Sequence, residues 1–286
     1  MTNDPAVPPA GAGPAGPAVP PGVEPTVPSP ARMYDYVLGG SYNYPSDRAA
    51  VDQGMRLVPE GRDIVFALRG FHGRSVARIA GQGITQFLDI GSGLPTVGNT
   101  HEIAGRINPA ARVMYVDNDP MVAACAGDLL TDPAITRFAT ADIRDPGDLL
   151  TRPEITGFID FAQPVGLILC AVLHFVTDED DPAGLMDRYI AALAPGSCVA
   201  ISHVTADKAP PRLAQAVRDS YGRARERIHF RSRAQVERFF AGLELVQPHD
   251  GAEPRLAYLG EWGAEDAASA DTDGSRWGYC GVGRRP

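Results

Sequence analysis

The sequence has few cysteines, no long apolar run and a shortage of positive charge, and each shortage removes a class of protein. Four cysteines, Cys125, Cys170, Cys198 and Cys280, are scattered over 286 residues without paired spacing. That offers neither a disulfide framework nor a zinc-ligand pattern. Cys170 and Cys198 fall in apolar strand-like runs, so buried, reduced thiols are expected. No apolar run approaches the length of a bilayer crossing, and the N-terminus lacks a charged-then-apolar signal pattern, so the expectation is a soluble, cytoplasmic chain. Lys plus Arg number 26 against 35 Asp plus Glu, a net charge of −9. Such a balance speaks against generic nucleic-acid or anionic-membrane partners. No internal repeat stands out, and no pattern selects an oligomeric state.

What is present centres on residues 86–96, QFLDIGSGLPT. A short apolar run containing Asp89 ends in Gly91-Ser92-Gly93, and a helix over 98–107 is expected after it: strand, glycine turn, helix. Glycines at such a turn let a ligand approach backbone that a Cβ would otherwise cover. A second apolar run over 111–116 ends in Asp117. An acidic side chain at that strand end suits the two ribose hydroxyls of a nucleoside. Nicotinamide dinucleotides and S-adenosylmethionine both remain at this point. The dinucleotide fingerprint needs a third glycine three residues after the second. Thr96 stands there, after Pro95, which favours S-adenosylmethionine, a cofactor with no pyrophosphate to bind.

Around this stretch the chain alternates strands (85–90, 112–117, 135–139, 165–169, 197–203) with helices (98–107, 120–130, 180–193). The pattern predicts a doubly wound, Rossmann-like, mostly parallel sheet with its ligand at the carboxyl ends of the strands. Length allows one large α/β domain with a tail or two small domains. Residues 1–30 are nearly all Pro, Ala, Gly and Val, a composition that predicts a disordered leader, and the domain is expected over 31–286.

Next come four tyrosines, Tyr34, Tyr36, Tyr42 and Tyr44, with Gly39-Gly40. They read either as a flap over a small-molecule pocket or as an arm packed on the domain surface. Residues 46–80 read as helix, interrupted near 59–61, with apolar positions at helical spacing. After His203 the chain turns helical and rich in arginine, including Arg212, Arg218, Arg223, Arg225 and Arg231. That segment is either a cap over an anionic substrate or a solvated, ion-paired face. Strand-like runs at 243–248 and 277–282 follow. Asp178-Glu179-Asp180-Asp181 could hold a metal, but carboxylates also suit a helix N-terminus, and the run is read as a helix start with no metal.

The motifs RMYDYVLGG (32–40), QFLDIGSGLPT, VMYVDNDP (113–120), ADIRDP (141–146), LHFVTDEDDP (173–182) and FRSRAQVERFFAGLELVQP (230–248) together resemble a class I S-adenosylmethionine-dependent methyltransferase. More narrowly, they are similar to an actinobacterial family once catalogued as a domain of unknown function. The resemblance covers all but the leader. It implies a seven-stranded sheet with an antiparallel last strand and helical cap segments. It also implies Asp89, Gly91, Ser92 and Gly93 along the methionine part of S-adenosyl-L-methionine, Asp117 on the ribose, and Asn118 on ribose or adenine edges. Asp142 and Ile143 would meet the adenine. Cys170, Ala171 and His174 would lie near the transferable methyl, with Tyr34 as a further cofactor contact.

The cofactor brings its own leaving group, so the protein supplies alignment and a dry pocket. His174 is the candidate catalytic residue, with a structural histidine as the alternative, and His203 reads as structural. The expected partner is a small-molecule methyl acceptor, whose identity the sequence does not carry. A cofactor-holding protein that has lost transfer stays open beside the active enzyme, and an NAD-linked dehydrogenase is disfavoured by Thr96.

Overall fold

The computed structural model describes residues 17–286 except Val97, Pro210 and Arg223. Three helices come first: α1 (Pro30–Val37), α2 (Pro45–Leu57) and α3 (Gly61–Gly81). Then β1 (Gln86–Ile90), α4 (Thr100–Ile107), β2 (Arg112–Asp117), α5 (Pro120–Leu129) and β3 (Thr136–Thr140) alternate. Two single-turn helices, α6 (Pro146–Leu149) and α7 (Pro153–Thr156), lead to β4 (Gly166–Cys170), α8 (Pro182–Ala192) and β5 (Cys198–Val204). The remainder is α9 (Pro211–Ser220), α10 (Arg233–Glu237), β6 (Glu244–Leu245), β7 (Ala257–Tyr258) and β8 (Gly278–Arg284).

The sheet runs β3-β2-β1-β4-β5-β8-β6, with β7 paired to β8 off this path. The first five strands are mutually parallel, and β8 lies antiparallel to β5 over seven residue pairs. This is the expected architecture, with two differences. The run at 243–248 contributes only the two residues of β6, and β7 was not anticipated.

Strand alternation separates two cores. Leu88, Ile90, Leu167, Leu169, Val199 and Ile201 face α8 and the segment around Phe239. Phe87, Ile168 and Ala200 face α3 and Trp262. Because both faces are covered, the strands read as continuous apolar runs. Helix starts follow local chemistry. Asp119 accepts from the Met121 N–H at 2.7 Å ahead of Pro120, and Asp181 accepts from the Gly184 N–H at 3.1 Å ahead of Pro182. Of the acidic run, Asp181 starts α8 as expected, while Asp178 pairs with Arg231 and Asp180 accepts from Thr177 Oγ1 at 2.8 Å. Helix α4 begins at Thr100 rather than Gly98, since Gly98 has φ +59° and the Asn99 N–H is held by Glu102 at 2.9 Å.

The expected leader needs correction in its second half. Residues 1–16 lie outside the described residues, but 17–29 pack along the domain. Tyr44 donates to the Ala18 carbonyl at 3.2 Å, Ser46 to that of Pro25 at 2.6 Å, and the Arg225 N–H to that of Pro28 at 2.9 Å. Val23 sits against Leu94 and Met121, and the Ser29 hydroxyl bonds the Asp119 carboxylate. A proline-rich strand cannot build its own core, yet it can be ordered by side chains that satisfy its carbonyls. The buried Arg32–Asp47 pair, 2.8 Å, anchors the junction with α1.

Candidate active site

A cavity of about 270 Å³ opens at the carboxyl ends of β1, β2 and β4. The bend after β1 forms its floor. The N–H groups of Gly91 and Ser92 both donate to the Val116 carbonyl, at 2.8 and 3.2 Å, tying the bend to β2. Gly91 has φ +70° and Gly93 φ +64°, conformations that glycine adopts without strain. The two glycines differ in surroundings. A Cβ on Gly91 would lie 2.2 Å from Val172 Cγ2 and 2.5 Å from Val172 Cβ, whereas one on Gly93 would meet nothing within 4 Å. The sequence reasoning that both keep space for a ligand is thus corrected for Gly91, whose space is taken by Val172.

Asp117 closes β2 beside this bend. Its carboxylate accepts from the Gly93 N–H at 2.8 Å and the Asp119 N–H at 2.9 Å. Burial outweighs those donors and pushes its pKa up to about 6. A carboxylate has about four acceptor positions, so it retains capacity for further donors. Asn118 donates to Asp142 at 3.1 Å. Asp142 is also held by both guanidinium arms of Arg144, at 2.9 and 2.6 Å. Bonds from Arg144 and Asn118 outweigh desolvation and keep the Asp142 carboxyl below its usual range. The Ile143 carbonyl accepts from Tyr189 at 2.8 Å, which fixes the backbone at that end of the cavity.

At the opposite end, Asp89 is buried and accepts from Thr100 Oγ1 at 2.5 Å. His72 Nε2 stands 2.8 Å from the same Oγ1. Since the threonine proton goes to the carboxylate, the hydroxyl accepts from the His72 Nε2–H. Among the described residues, Nδ1 is buried with no hydrogen-bond partner. Arg69, one turn before His72 on α3, donates to the Gly98 carbonyl at 2.9 Å. Arg69, His72 and Thr100 were not singled out from sequence. Their signal was the spacing of Arg69 and His72 along a helix whose apolar face alone had been read.

The end of β4 supplies Cys170, Ala171 and His174. Ala171 has φ +59°, unusual for a residue with a Cβ, and its N–H is held by Ser202 Oγ at 3.0 Å. Burial pushes the Cys170 thiol far up, so it stays protonated. His174 lies in a 3₁₀ turn, Leu173–Phe175, with Nδ1 buried and unpartnered among the described residues. Burial, then the nearby His203 and Arg231, pull its pKa well below the usual imidazole value, so the ring is neutral. His203 is pulled down to about 3 by burial. It stands 2.7 Å from the Val204 carbonyl through Nδ1 and accepts from Arg231 at 3.0 Å through Nε2, the structural role expected of it. Arg231 is buried too, bonding the Leu173 and Val176 carbonyls and the exposed Asp178. Tyr34 lines the cavity from α1 and donates to the Val65 carbonyl at 3.4 Å.

Every residue expected at the cofactor therefore lines one cavity. All four cysteines are free thiols, Cys170 half-buried and the others buried. Among the described residues there is no group of His, Cys, Asp and Glu able to hold a metal ion, and no helix long and apolar enough to cross a membrane.

Residues 18–286 match the family model described as S-adenosyl methyltransferase. A crystal structure of a DUF574 family protein from Streptomyces avermitilis superposes with a TM-score of 0.84 at 39% identity, covering 92% of this chain and 99% of that one. A candidate methyltransferase from Thermobifida fusca superposes with a TM-score of 0.84 at 36% identity, covering 93% and 97%. No curated protein matches the chain. Glycine bend, strand-end acid and family match agree on one cofactor, S-adenosyl-L-methionine, and the chain belongs to the S-adenosyl methyltransferase family, whose members are enzymes of methyl transfer.

Proposed function

We propose that this enzyme methylates a small organic acceptor held in the same cavity, with Asp117 as the ribose acceptor that seats the cofactor. The observation that carries this reading is the half-buried Asp117 carboxylate, fixed by the Gly93 and Asp119 N–H groups beside the glycine bend. The residues fit the nucleoside: an open flank at Gly93, an acid for the ribose, and an ordered polar edge at Asn118 and Asp142 for the adenine, next to the Ile143 backbone. At the far end, Arg69 suits the carboxylate of the amino-acid part, while Asp89, held by Thr100 and through it by His72, suits its ammonium.

The cofactor supplies an activated methyl on a sulfonium. The chain's part is to align the acceptor in line with it and to exclude water. Tyr34, Cys170, Ala171 and His174 wall the region between the β4 end and α1. His174, neutral and buried, is placed to take the acceptor's proton.

Calorimetry with S-adenosylhomocysteine tests the seat. Asp117→Ala removes charge-assisted hydrogen bonds worth about 1.5–3 kcal/mol, so affinity should fall by about 10- to 150-fold. Unchanged affinity would remove Asp117 from the ribose site.

A further inference from the structure

The cavity extends beyond the cofactor residues, and its chemistry changes there. Helix α2 lines it with Ala50, Val51, Gly54 and Met55, and α9 with Val217. Met33, Val37 and Val51 pack as one cluster, with Met55, Val65 and Tyr221 against it. Ile228, Phe230 and Trp277 complete this lobe. No Asp, Glu, Lys or Arg enters the lining from α2 or α9. The charged lining residues have partners of their own: Asp35 with Tyr42, Asn43 and Thr96, Arg144 with Asp142 and, at 3.6 Å, with Glu226, and Arg225 with the Asn118 carbonyl, while Asp89 is held by Thr100 and Arg69 bonds the Gly98 carbonyl.

The polar atoms bordering the lobe are hydroxyls and an imidazole. Burial raises the phenols of Tyr34 and Tyr221, Tyr221 to about 12, so both are uncharged. His174, Phe175 and Tyr221 form a run of rings, with centroids 4.4 Å apart between the first two and 5.9 Å between the last two. The run leads from the β4 end to the segment just after α9. Flat walls without a fixed charge penalise an ionic guest, which would be desolvated without a partner, and suit a guest with a π-face.

Resting on the cofactor placement above, we propose that this lobe binds the methyl acceptor and selects an uncharged, ring-bearing molecule presenting a weakly acidic hydroxyl, a phenol or enol, to His174. In the transfer the acceptor oxygen forms the O–CH3 bond as the S–CH3 bond breaks, with the bonding pair left on sulfur. The hydroxyl proton passes to the His174 imidazole. The α2 and α9 walls offer a carboxylate acceptor no cation and an ammonium no carboxylate.

Three probes of one shape test this: 2-naphthol, 2-naphthoate and protonated 2-naphthylmethylamine, titrated into the full chain loaded with S-adenosylhomocysteine. The expected result is 2-naphthol binding at least tenfold more tightly than either ion, and formation of 2-methoxynaphthalene once S-adenosylmethionine replaces the product. Met55→Glu, at a half-buried lobe position, should weaken 2-naphthol by tenfold or more while S-adenosylhomocysteine affinity stays within twofold. Ile64→Gln, at a half-buried α3 position that also lines the cavity, serves as a second variant should Met55→Glu lose that affinity through misfolding. Failure of S-adenosylhomocysteine to bind the unaltered protein would sink the cofactor placement. With the cofactor bound, equal or tighter binding of an ion, no binding of 2-naphthol, or binding without methylation would overturn the acceptor class.

Discussion

Gly91→Ala separates two reasons for a glycine. One cost is conformational: alanine at φ +70° pays about 1–2 kcal/mol for the left-handed region. The other is steric. The new methyl would stand 2.2 and 2.5 Å from Val172 Cγ2 and Cβ, and overpacking of this kind costs about 1–3 kcal/mol. The sum, about 2–5 kcal/mol, is a large share of an ordinary domain's stability. Gly93→Ala is the internal control, since at φ +64° with nothing within 4 Å of the Cβ position it should lose only the first term. Urea unfolding of the ligand-free proteins measures both. Val172→Ala added to Gly91→Ala should recover only part of the steric share, because Val172 Cβ remains, whereas Val172→Gly should recover most of it in a double-mutant cycle. Equal losses at Gly91 and Gly93, with no coupling to Val172, would refute the packing argument and return the space at Gly91 to the ligand.

Other outcomes follow from the same geometry. Because burial raises Asp117 to about 6, S-adenosylhomocysteine affinity should be full above about pH 7 and decline as pH falls through 6; a flat profile from pH 8 to 5 would contradict the assignment. Stability should move the opposite way. A folded-state pKa above the ordinary 3.8 means that ionising Asp117 costs up to about 3 kcal/mol, so the protein should gain stability over Asp117→Asn as pH drops through 6, in denaturant melts at each pH. Arg69→Ala and His72→Ala should weaken S-adenosylhomocysteine but leave 5′-methylthioadenosine, which lacks the amino-acid part, unaffected in calorimetry; equal losses for both ligands would place these residues elsewhere. Arg231→Met should destabilise by about 3–5 kcal/mol, since it strands two carbonyls and His203 Nε2. Asp178→Asn, whose side chain is 76% exposed, should cost under about 1 kcal/mol by chemical denaturation.

The sheet and the nucleoside end of the site were legible because their signals are local. β1, the glycines and Asp117 sit within a few residues of one another or at fixed offsets, and buried parallel strands announce themselves as apolar runs. The ordering of residues 17–29 was not legible, since it depends on Tyr44, Asp47, Asp119 and Arg225, partners set by the fold rather than by adjacency. Composition reports only what a segment can do by itself. The Asp89–Thr100–His72 chain was missed for the same reason: three elements contribute one residue each. The reason for Gly91 lay in Val172, across β4.

The strand Gly278–Arg284 is inserted between β5 and β6 although the chain makes it after both. During synthesis the flank of β5 therefore stands unpaired until the ribosome has released residue 284, with seven residues of bare ladder open to any passing strand. Completion of the sheet waits for translation to pass that point, and a chain lacking this strand would carry an open edge prone to association.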